Sequence, residues 1–213
     1  MAKNYIPALN YDFLTPFYDL FAEVLGYGKK QRNKVIDLLG LKPDEKLLDV
    51  GCGTGTLLLL AKKRFPEIEM AGVDIDKKVL DIARKKFAEE NLTIKFVETG
   101  AQKLPFPNSH FTVVVSTLIF HHLPTKIKKS AIREIYRVLK KNGRFLLADF
   151  GKKQGFILPL LNFVTKIFKL PEHETLQDNL NGLNTVFMTD AGFYIKEIAP
   201  RYRGIQFLLA TRK

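Results

Sequence analysis

The sequence predicts an α/β protein with one mostly parallel sheet of seven strands, helices on both faces and an antiparallel strand near its C-terminus. Short apolar runs alternate with longer segments of helical periodicity, which is typical of βαβ units. Residues 111–116 are apolar enough for a strand that is buried on both sides. The length of 213 residues suits a single domain, which we expect over residues 1–213.

The first predicted strand, residues 46–50, ends at a glycine-rich turn, and a helix over residues 56–64 follows. Further strands are predicted at residues 68–73, 93–97, 111–116, 144–149, 193–198 and 205–210, and further helices at residues 77–89 and 126–140. The last two strands are expected to pair antiparallel. In the last helix, Lys129, Arg133 and Arg137 are predicted to form a basic stripe, and Asn142-Gly143 is expected to end the helix.

Two segments do not follow this alternation of strands and helices. Residues 1–40 carry many aromatic side chains, and we expect them to form an N-terminal helical cover. Residues 151–190 are expected to form an apolar helical insertion, because residues 156–168 place their apolar side chains on one helical face. Packing in the core, a lid over a hydrophobic substrate and contact with a membrane surface remain alternatives for this stretch.

The chain is strongly basic, with a formal charge of +12 and a pI near 9.7. Such a surface attracts nucleic acid, anionic lipid or acidic substrates. The lysines are nevertheless spread over the whole sequence, without a basic tail or a basic motif rich in aromatics. Solvated helix faces and an anionic partner therefore both remain open, and no clear nucleic-acid module is indicated.

The single cysteine, Cys52, excludes an internal disulfide and a structural zinc site made of several cysteines. Its expected role is that of a small residue in a crowded turn, and we expect no metal. The sequence has no run near the ~20 apolar residues of a membrane-spanning helix, and its start lacks the pattern of a secretory signal. We therefore expect a cytoplasmic protein.

The strongest motif is Asp49-Val50-Gly51-Cys52-Gly53-Thr54-Gly55, between the first strand and its helix. Ligands of open α/β sheets bind beyond the carboxyl ends of the strands, and glycines let a ligand approach the backbone. A dinucleotide fingerprint needs a third glycine where Thr56 stands, and a phosphate-binding loop needs a lysine that is missing between residues 49 and 61. The spacing therefore favours a ligand with an adenosine but no pyrophosphate.

An acidic residue supports this interpretation. Asp74 ends the second predicted strand, roughly 20 residues beyond the glycines, where a carboxylate can accept both hydroxyls of a ribose. The alternative is that Asp74 or Asp76 only caps the next helix, and Asp76 is predicted to do so.

Three sequence blocks together resemble a known family. Residues 47–55 resemble the first motif of class I S-adenosylmethionine-dependent methyltransferases, which have a Rossmann-like fold. Residues 104–111 and 137–144 resemble the family's loop before the fourth strand and its turn before the fifth. Residues 11–19 are similar to the N-terminal segment of the subgroup with ubiquinone/menaquinone C-methyltransferases and some phospholipid N-methyltransferases.

The resemblance implies S-adenosylmethionine as cofactor and S-adenosylhomocysteine as product. It implies that the backbone of Gly51, Cys52 and Gly53 meets the methionine part, and that Asp49 lies near its ammonium group. The remaining positions that the resemblance implies for the cofactor are Gly55, Asp74 on the ribose, Ile75 on the adenine face, Ala101, Gln102, and Ser116 with Thr117 beside the donor methyl. The family often has Gly-Asp-Ala where residues 99–101 read Thr-Gly-Ala, so Gln102 or a backbone carbonyl is expected to accept from the adenine amino group.

The sequence defines the residues that contact the methyl acceptor less well than those that contact the cofactor. Tyr11, Tyr18 and His121 are predicted to contact the substrate, and these residues and His122 are candidates for a base, of which none is selected. The resemblance and the apolar insertion together predict methyl transfer to a small hydrophobic metabolite, lipid-like or quinone-like, with peripheral membrane contact as an open point. The alternatives are an RNA methyltransferase, favoured by the charge alone, and a non-catalytic S-adenosylmethionine-binding protein.

Overall fold

The computed structural model describes residues 28–151 and 172–213. The chain divides into two compact units, residues 1–101 and residues 102–213. Tyr11, Tyr18, most of the expected N-terminal cover and the apolar stretch 156–168 lie outside the described residues.

The first unit alternates helices and strands. Its elements are α1 (Lys29–Leu39), β1 (Lys46–Val50), α2 (Thr56–Arg64), β2 (Glu69–Asp74), α3 (Lys77–Glu89) and β3 (Lys95–Glu98). The strands lie in the order β3-β2-β1, and both neighbouring pairs are parallel. The βαβ units expected from the alternation of apolar runs are confirmed here, with shifts of one or two residues at the bounds of β2 and β3.

Helix α3 shows why the local sequence pattern was sufficient to predict this helix. Its apolar positions Val79, Leu80, Ala83 and Phe87 are all buried and form one face of the helix. At the start of the helix, the Asp76 carboxylate accepts a hydrogen bond from the Lys78 amide at 2.8 Å, which satisfies a backbone donor that has no partner inside the helix. The predicted capping role of Asp76 is therefore confirmed.

The second unit contains the remaining four of the seven described strands. Its elements are β4 (Phe111–Thr117), a 3₁₀ turn (Phe120–His122), α4 (Thr125–Val138), β5 (Leu139–Phe150), α5 (Glu172–Leu180), α6 (Leu183–Asp190), β6 (Phe193–Tyr202) and β7 (Ile205–Arg212). The strands lie in the order β4-β5-β7-β6. Strands β4 and β5 are parallel, whereas β7 is antiparallel to both β5 and β6, as expected for the closing pair.

The predicted end of the longest helix is wrong. Helix α4 ends at Val138, and Leu139 already has an extended backbone with φ −71° and ψ 142°. Leu139 is fully buried and pairs with Phe111 at the start of β4. Strand pairing thus outweighs the helical periodicity, and Asn142, with φ 61°, lies inside β5 instead of ending a helix.

Arg137, the last residue of the predicted basic stripe on α4, has a side chain that is 32% exposed and several partners. Its guanidinium forms an ion pair with Glu134, with Nε 2.7 Å from Oε1. It also donates to the carbonyl oxygens of Leu104 and Phe106, each at 2.8 Å. The Arg137 guanidinium lowers the pKa of Glu134, whose carboxylate also accepts from the Leu104 amide. Arg137 therefore also fixes the loop before β4, a role that the sequence analysis did not predict.

Lys128 joins α4 to α5. Its side chain is fully buried, and its ammonium donates to the Thr175 carbonyl and lies 3.2 Å from Asp178 Oδ2. Burial lowers the pKa of Lys128, and the Asp178 carboxylate opposes that effect. Within the residues that the structure describes, no helix is long and apolar enough to cross a membrane.

Candidate cofactor site

The glycine turn after β1 is built from left-handed backbone. Gly51, Gly53 and Gly55 have φ values of 76°, 52° and 71°, which side chains with a Cβ rarely adopt. The amides of Gly51 and Cys52 both donate to the Val73 carbonyl, at 2.8 and 3.0 Å. The turn is therefore anchored to the carboxyl end of the neighbouring strand β2.

Two of these glycines differ in what surrounds them. A Cβ at Gly55 would lie 2.9 Å from the Ala83 Cβ, so this glycine allows the turn to pack against α3. A Cβ at Gly53 would meet no atom of the described residues within 4 Å. Gly53 therefore presents its backbone to open space, which is the arrangement that a ligand in contact with the main chain requires.

Asp74 connects this turn to the end of β2. Its Oδ2 accepts from the Gly53 amide at 2.8 Å, and its Oδ1 accepts from the Asp76 amide at 3.0 Å. Burial raises the pKa of Asp74, while these amide hydrogen bonds act in the opposite direction. Each carboxylate oxygen can accept a second hydrogen bond, so two further donors such as ribose hydroxyls can be satisfied. Ile75, next in the chain, is 43% exposed.

Asp49 lies at the base of the turn and is 1% exposed. Its Oδ1 has no hydrogen-bond partner among the described residues. Burial, and to a lesser extent the nearby Asp74 carboxylate, raise the pKa of Asp49 to about 8, while Arg32 acts in the opposite direction. A buried carboxylate oxygen without a partner suits a cationic donor, and an ammonium group would supply both the charge and the hydrogen bond.

Cys52 is buried, and burial raises the pKa of its thiol well above the usual range. A Cβ at Gly72 of β2 would lie 2.8 Å from the Cys52 sulfur, so the thiol fills the space beside this glycine. A neutral, enclosed thiol is a poor nucleophile. Cys52 thus fits the packing role that the sequence suggested.

Ala101 is buried, and the chain before it returns to β2, because the Thr99 amide donates to the Asp74 carbonyl at 2.9 Å. Lys86 is a residue that the sequence reasoning missed. Its ammonium donates to the Thr56 hydroxyl at 2.8 Å, at the first residue of α2. Residues 49–61 contain no lysine, but α3 places one beside the first residue of α2, 30 positions away in the sequence.

The other predicted cofactor residues belong to the second unit. Gln102 is exposed near its beginning, Ser116 is fully buried in β4, and Thr117 ends that strand half-buried. After Thr117 the chain turns through Leu118, which has φ 55°. The roles of these three residues toward the cofactor remain predictions.

His121 has a partner that the sequence reasoning also missed. Its Nδ1 lies 2.7 Å from Oδ1 of Asp149, which is 2% exposed at the end of β5. Asp149 lies one residue before the end of β5, near the position that Asp74 has in β2, and this position was the available signal. Among the residues that the structure describes, no group of histidine, cysteine and acidic side chains is suited to hold a metal ion.

The chain is similar in sequence to known methyltransferases. Residues 47–143 match the family model described as a methyltransferase domain. The chain is 35% identical over 139 residues to the demethylmenaquinone methyltransferase of Thermus thermophilus, covering 64% of this chain and 62% of that protein. It is 30% identical over 191 residues to the ubiquinone/menaquinone biosynthesis C-methyltransferase UbiE of Pseudomonas putida, covering 87% of this chain and 67% of that protein.

The fold is similar to that of a crystal structure of a SAM-dependent methyltransferase from Aquifex aeolicus. The TM-score is 0.66 at 20% identity, over 84% of this chain and 88% of that one. At this identity the likeness shows the fold, and it confirms the predicted Rossmann-like architecture. The chain spans 54 to 62% of the length of three curated relatives that it matches.

Proposed function

We propose that the chain methylates a small hydrophobic metabolite. The premise is that it belongs to the class I S-adenosylmethionine-dependent methyltransferases, in the ubiquinone/menaquinone C-methyltransferase-like subgroup. The methyl donor is S-adenosylmethionine. The acceptor is quinone-like or lipid-like.

The observation that carries this proposal is the cluster of Asp49, Gly53 and Asp74 in the first unit. The open side of Gly53 suits the methionine part of the cofactor, and the unpartnered Asp49 oxygen suits its ammonium group. The Asp74 carboxylate, held by two backbone amides, suits the ribose hydroxyls. This set of donors and acceptors suits an adenosine with an amino acid attached.

The cofactor, once bound, supplies a methyl group already activated by its positively charged sulfur. The protein's residues then have a positioning task. Asp49 would fix the amino acid end through its charge, and Asp74 would fix the ribose through two hydrogen bonds. Ile75, exposed at the end of β2, would give the adenine an apolar surface. Three contacts at separate points of one ligand hold it in a single orientation.

The quinone-like acceptor is supported by the names of the relatives, which refer to menaquinone and ubiquinone biosynthesis. The apolar sequence of residues 156–168 agrees with a hydrophobic acceptor. We keep the small-molecule partner, the cytoplasmic location and the cover formed by residues 1–40 and 151–190 as parts of this proposal. Tyr11, Tyr18 and His121 remain the candidates for contact with the acceptor.

Calorimetry with S-adenosylmethionine, S-adenosylhomocysteine and NAD tests the cofactor. We expect micromolar affinity for the first two, about −8 kcal/mol, and preference for NAD would overturn the assignment. Transfer of labelled methyl to a short-chain demethylmenaquinol tests the acceptor. Cofactor binding without methyl transfer to any small acceptor would contradict the proposed enzyme, and RNA affinity with a steep salt dependence would favour an RNA substrate instead.

A further inference from the structure

The first turn of helix α1 contains a buried hydrogen-bond donor without an acceptor. Gln31 is 2% exposed, and its Nε2 has no hydrogen-bond partner within residues 28–151 and 172–213. Such a group is uncommon in folded proteins, because it loses its hydrogen bonds to water and gains none in return. The cofactor contacts assigned to Asp49, Gly53 and Asp74 do not use this donor.

The direction of α1 places its first turn at the ligand-binding end of the sheet. Helices α1 and α2 are in contact. Asp37, near the end of α1, forms an ion pair with Arg64, the last residue of α2. Because the C-terminal ends of the packed helices meet, the helices run in the same direction. Helix α2 begins at the glycine turn, so the first turn of α1 lies on that side of the unit, at the carboxyl end of β1.

The charges around the glycine turn agree with this placement. Burial raises the pKa of Asp49, and the half-buried guanidinium of Arg32 is close enough to act against that effect. The first turn of α1 also carries Lys29 and Lys30 and has no acidic residue. A positive group therefore lies beside a turn whose carboxylates, those of Asp49 and Asp74, would otherwise repel an anion.

The amino acid end of the cofactor has two opposite charges on one carbon atom. Its ammonium group suits the unpartnered oxygen of Asp49. Its carboxylate must then lie close to the carboxylates of Asp49 and Asp74, and it needs a cation or strong donors of its own. A guanidinium offers two parallel N–H groups to a carboxylate, and the amide nitrogen of a glutamine adds two further donors.

We propose that Gln31 and Arg32 bind the α-carboxylate of the cofactor's amino acid end, and that this contact selects ligands that carry the carboxylate. The inference rests on the proposed function and adds two residues of the first unit to its cofactor site. Arg32 supplies the charge. Gln31 supplies a donor that is already desolvated in the free protein, so a ligand oxygen satisfies it without further desolvation of the amide. With Asp49, the site is complementary to a zwitterion instead of a simple amine.

Two other cations of the first unit have different partners. Arg84 of α3 forms an ion pair with Asp81, with Nη1 2.7 Å from Oδ1. Lys86 of the same helix donates to the Thr56 hydroxyl at 2.8 Å. Arg32 acts instead on the carboxylate that we assign to the ammonium group. It is therefore the cation that we assign to the carboxylate of the ligand.

The test compares two ligands that differ only in the carboxylate, S-adenosylhomocysteine and its decarboxylated analogue, 5′-aminopropylthio-adenosine. Calorimetry measures the affinity of each ligand for wild type, Arg32→Ala, Arg32→Lys and Gln31→Leu. Wild type should prefer S-adenosylhomocysteine by about tenfold or more. Arg32→Ala should bind S-adenosylhomocysteine about tenfold more weakly or worse, yet bind the analogue within about threefold of wild type. Arg32→Lys keeps the charge without the planar fork and should recover part of the preference.

Gln31→Leu removes the donor but keeps a buried side chain of similar size, so it should reduce the preference about three- to tenfold. Circular dichroism checks that each variant is folded. Lys30→Ala is the matched control, because Lys30 is an exposed cation of the same turn, and it should keep the wild-type preference.

The comparison of the two ligands separates recognition of the carboxylate from a structural role. Equal weakening of both ligands by Arg32→Ala would overturn the inference, since a structural defect affects the whole site. An unchanged preference in Arg32→Ala or in Gln31→Leu would overturn the role of that residue. A wild-type protein that does not bind S-adenosylhomocysteine at all would overturn the proposed function instead.

Discussion

The amide of Gly53 donates a hydrogen bond to Oδ2 of Asp74 at 2.8 Å, which joins two residues that are 21 positions apart. The glycine turn and the acidic residue at the end of β2 were recognised separately in the sequence. Their direct contact means that Asp74 shapes the turn as well as offering acceptors to a ligand. A change at Asp74 therefore affects the candidate site in two ways.

We expect Asp74→Ala to weaken binding of S-adenosylmethionine at least tenfold. The loss of charge-assisted hydrogen bonds to the ribose costs roughly 1.5–3 kcal/mol, and the Gly53 amide loses its acceptor. Calorimetry measures the affinity, and circular dichroism checks the fold. Asp81→Ala is the control, because Asp81 is an exposed carboxylate of α3 paired only with surface cations. A folded Asp74→Ala protein with wild-type affinity would show that Asp74 has only a structural role.

The two glycines at 53 and 55 should respond differently to alanine. Gly53→Ala places a left-handed backbone under strain of about 1–2 kcal/mol but meets no neighbouring atom, so its main effect should be at least tenfold weaker cofactor binding. Gly55→Ala adds a clash with Ala83 and should lower the free energy of unfolding by about 2–5 kcal/mol. Denaturant titration and calorimetry separate the two effects. Equal losses of stability in both variants would contradict the open space at Gly53.

Cofactor binding should release a proton from Asp49. Its pKa of about 8 in the free protein means that the carboxyl is largely protonated at pH 7, and an ammonium group favours its ionised form. We therefore expect release approaching one proton per cofactor at pH 7, and affinity that increases as the pH rises toward about 8. Calorimetry in buffers of different ionisation enthalpy counts the protons. Asp49→Asn should release none, and release equal to wild type would assign the proton to another group.

The raised pKa of Asp49 also affects the stability of the free protein. The folded pKa of about 8 lies above the ordinary 3.8, so the folded state binds the proton more tightly than the unfolded state. The contribution of Asp49 to stability is therefore complete below about pH 4 and is lost as the pH rises through about 8. Asp49→Asn should remove this part of the pH dependence.

Lys128→Ala should lower the free energy of unfolding by about 2–4 kcal/mol. The substitution leaves Asp178 and the Thr175 carbonyl without their buried donor. The cost is lower than for a fully buried ion pair, because Asp178 is 13% exposed and also accepts a hydrogen bond from the Thr125 hydroxyl. Lys126→Ala, on the exposed face of the same helix, should stay within ~0.5 kcal/mol of wild type. Similar denaturation midpoints for both variants would show that the ion pair adds nothing.

The expected cover makes a separate prediction. If residues 11–20 close over the bound cofactor and exclude water, their amide hydrogens should exchange more slowly once cofactor is added, while the central strands stay unchanged. Hydrogen exchange with mass spectrometry gives this comparison. Equal protection with and without cofactor would make the segment a permanent part of the fold, and the idea of a lid would fail.

The sequence was most informative where short-range patterns decide the structure. The bounds of β1, α2 and α3 follow from local periodicity, a helix cap and a breaker such as Pro66, so they could be predicted. The end of α4 could not, because Leu139 is drawn into the sheet by Phe111, 28 residues away. The side-chain partners Arg137 and Asp149 depend in the same way on contacts between distant segments, which no local pattern contains.

The candidate site also combines features that the sequence predicts with features that depend on the tertiary structure. Gly53 and Asp74 were recognised from their spacing and Asp49 through the family resemblance, and the structure brings all three to the carboxyl ends of β1 and β2. The unpaired Asp49 oxygen and the raised pKa of this residue arise mainly from burial and could not be seen in a motif.

Strand β6 is the last strand in the order of the described sheet, and edge strands in general offer backbone groups to which a foreign strand can pair. Its pairing with β7 changes register twice between Glu197 and Tyr202. Pro200 lacks an amide hydrogen there, and Lys196 and Glu197 are exposed on the same strand. An incoming chain would meet an interrupted ladder and charged side chains. The protein thus carries at this edge a barrier against growth of the sheet into amyloid-like aggregates.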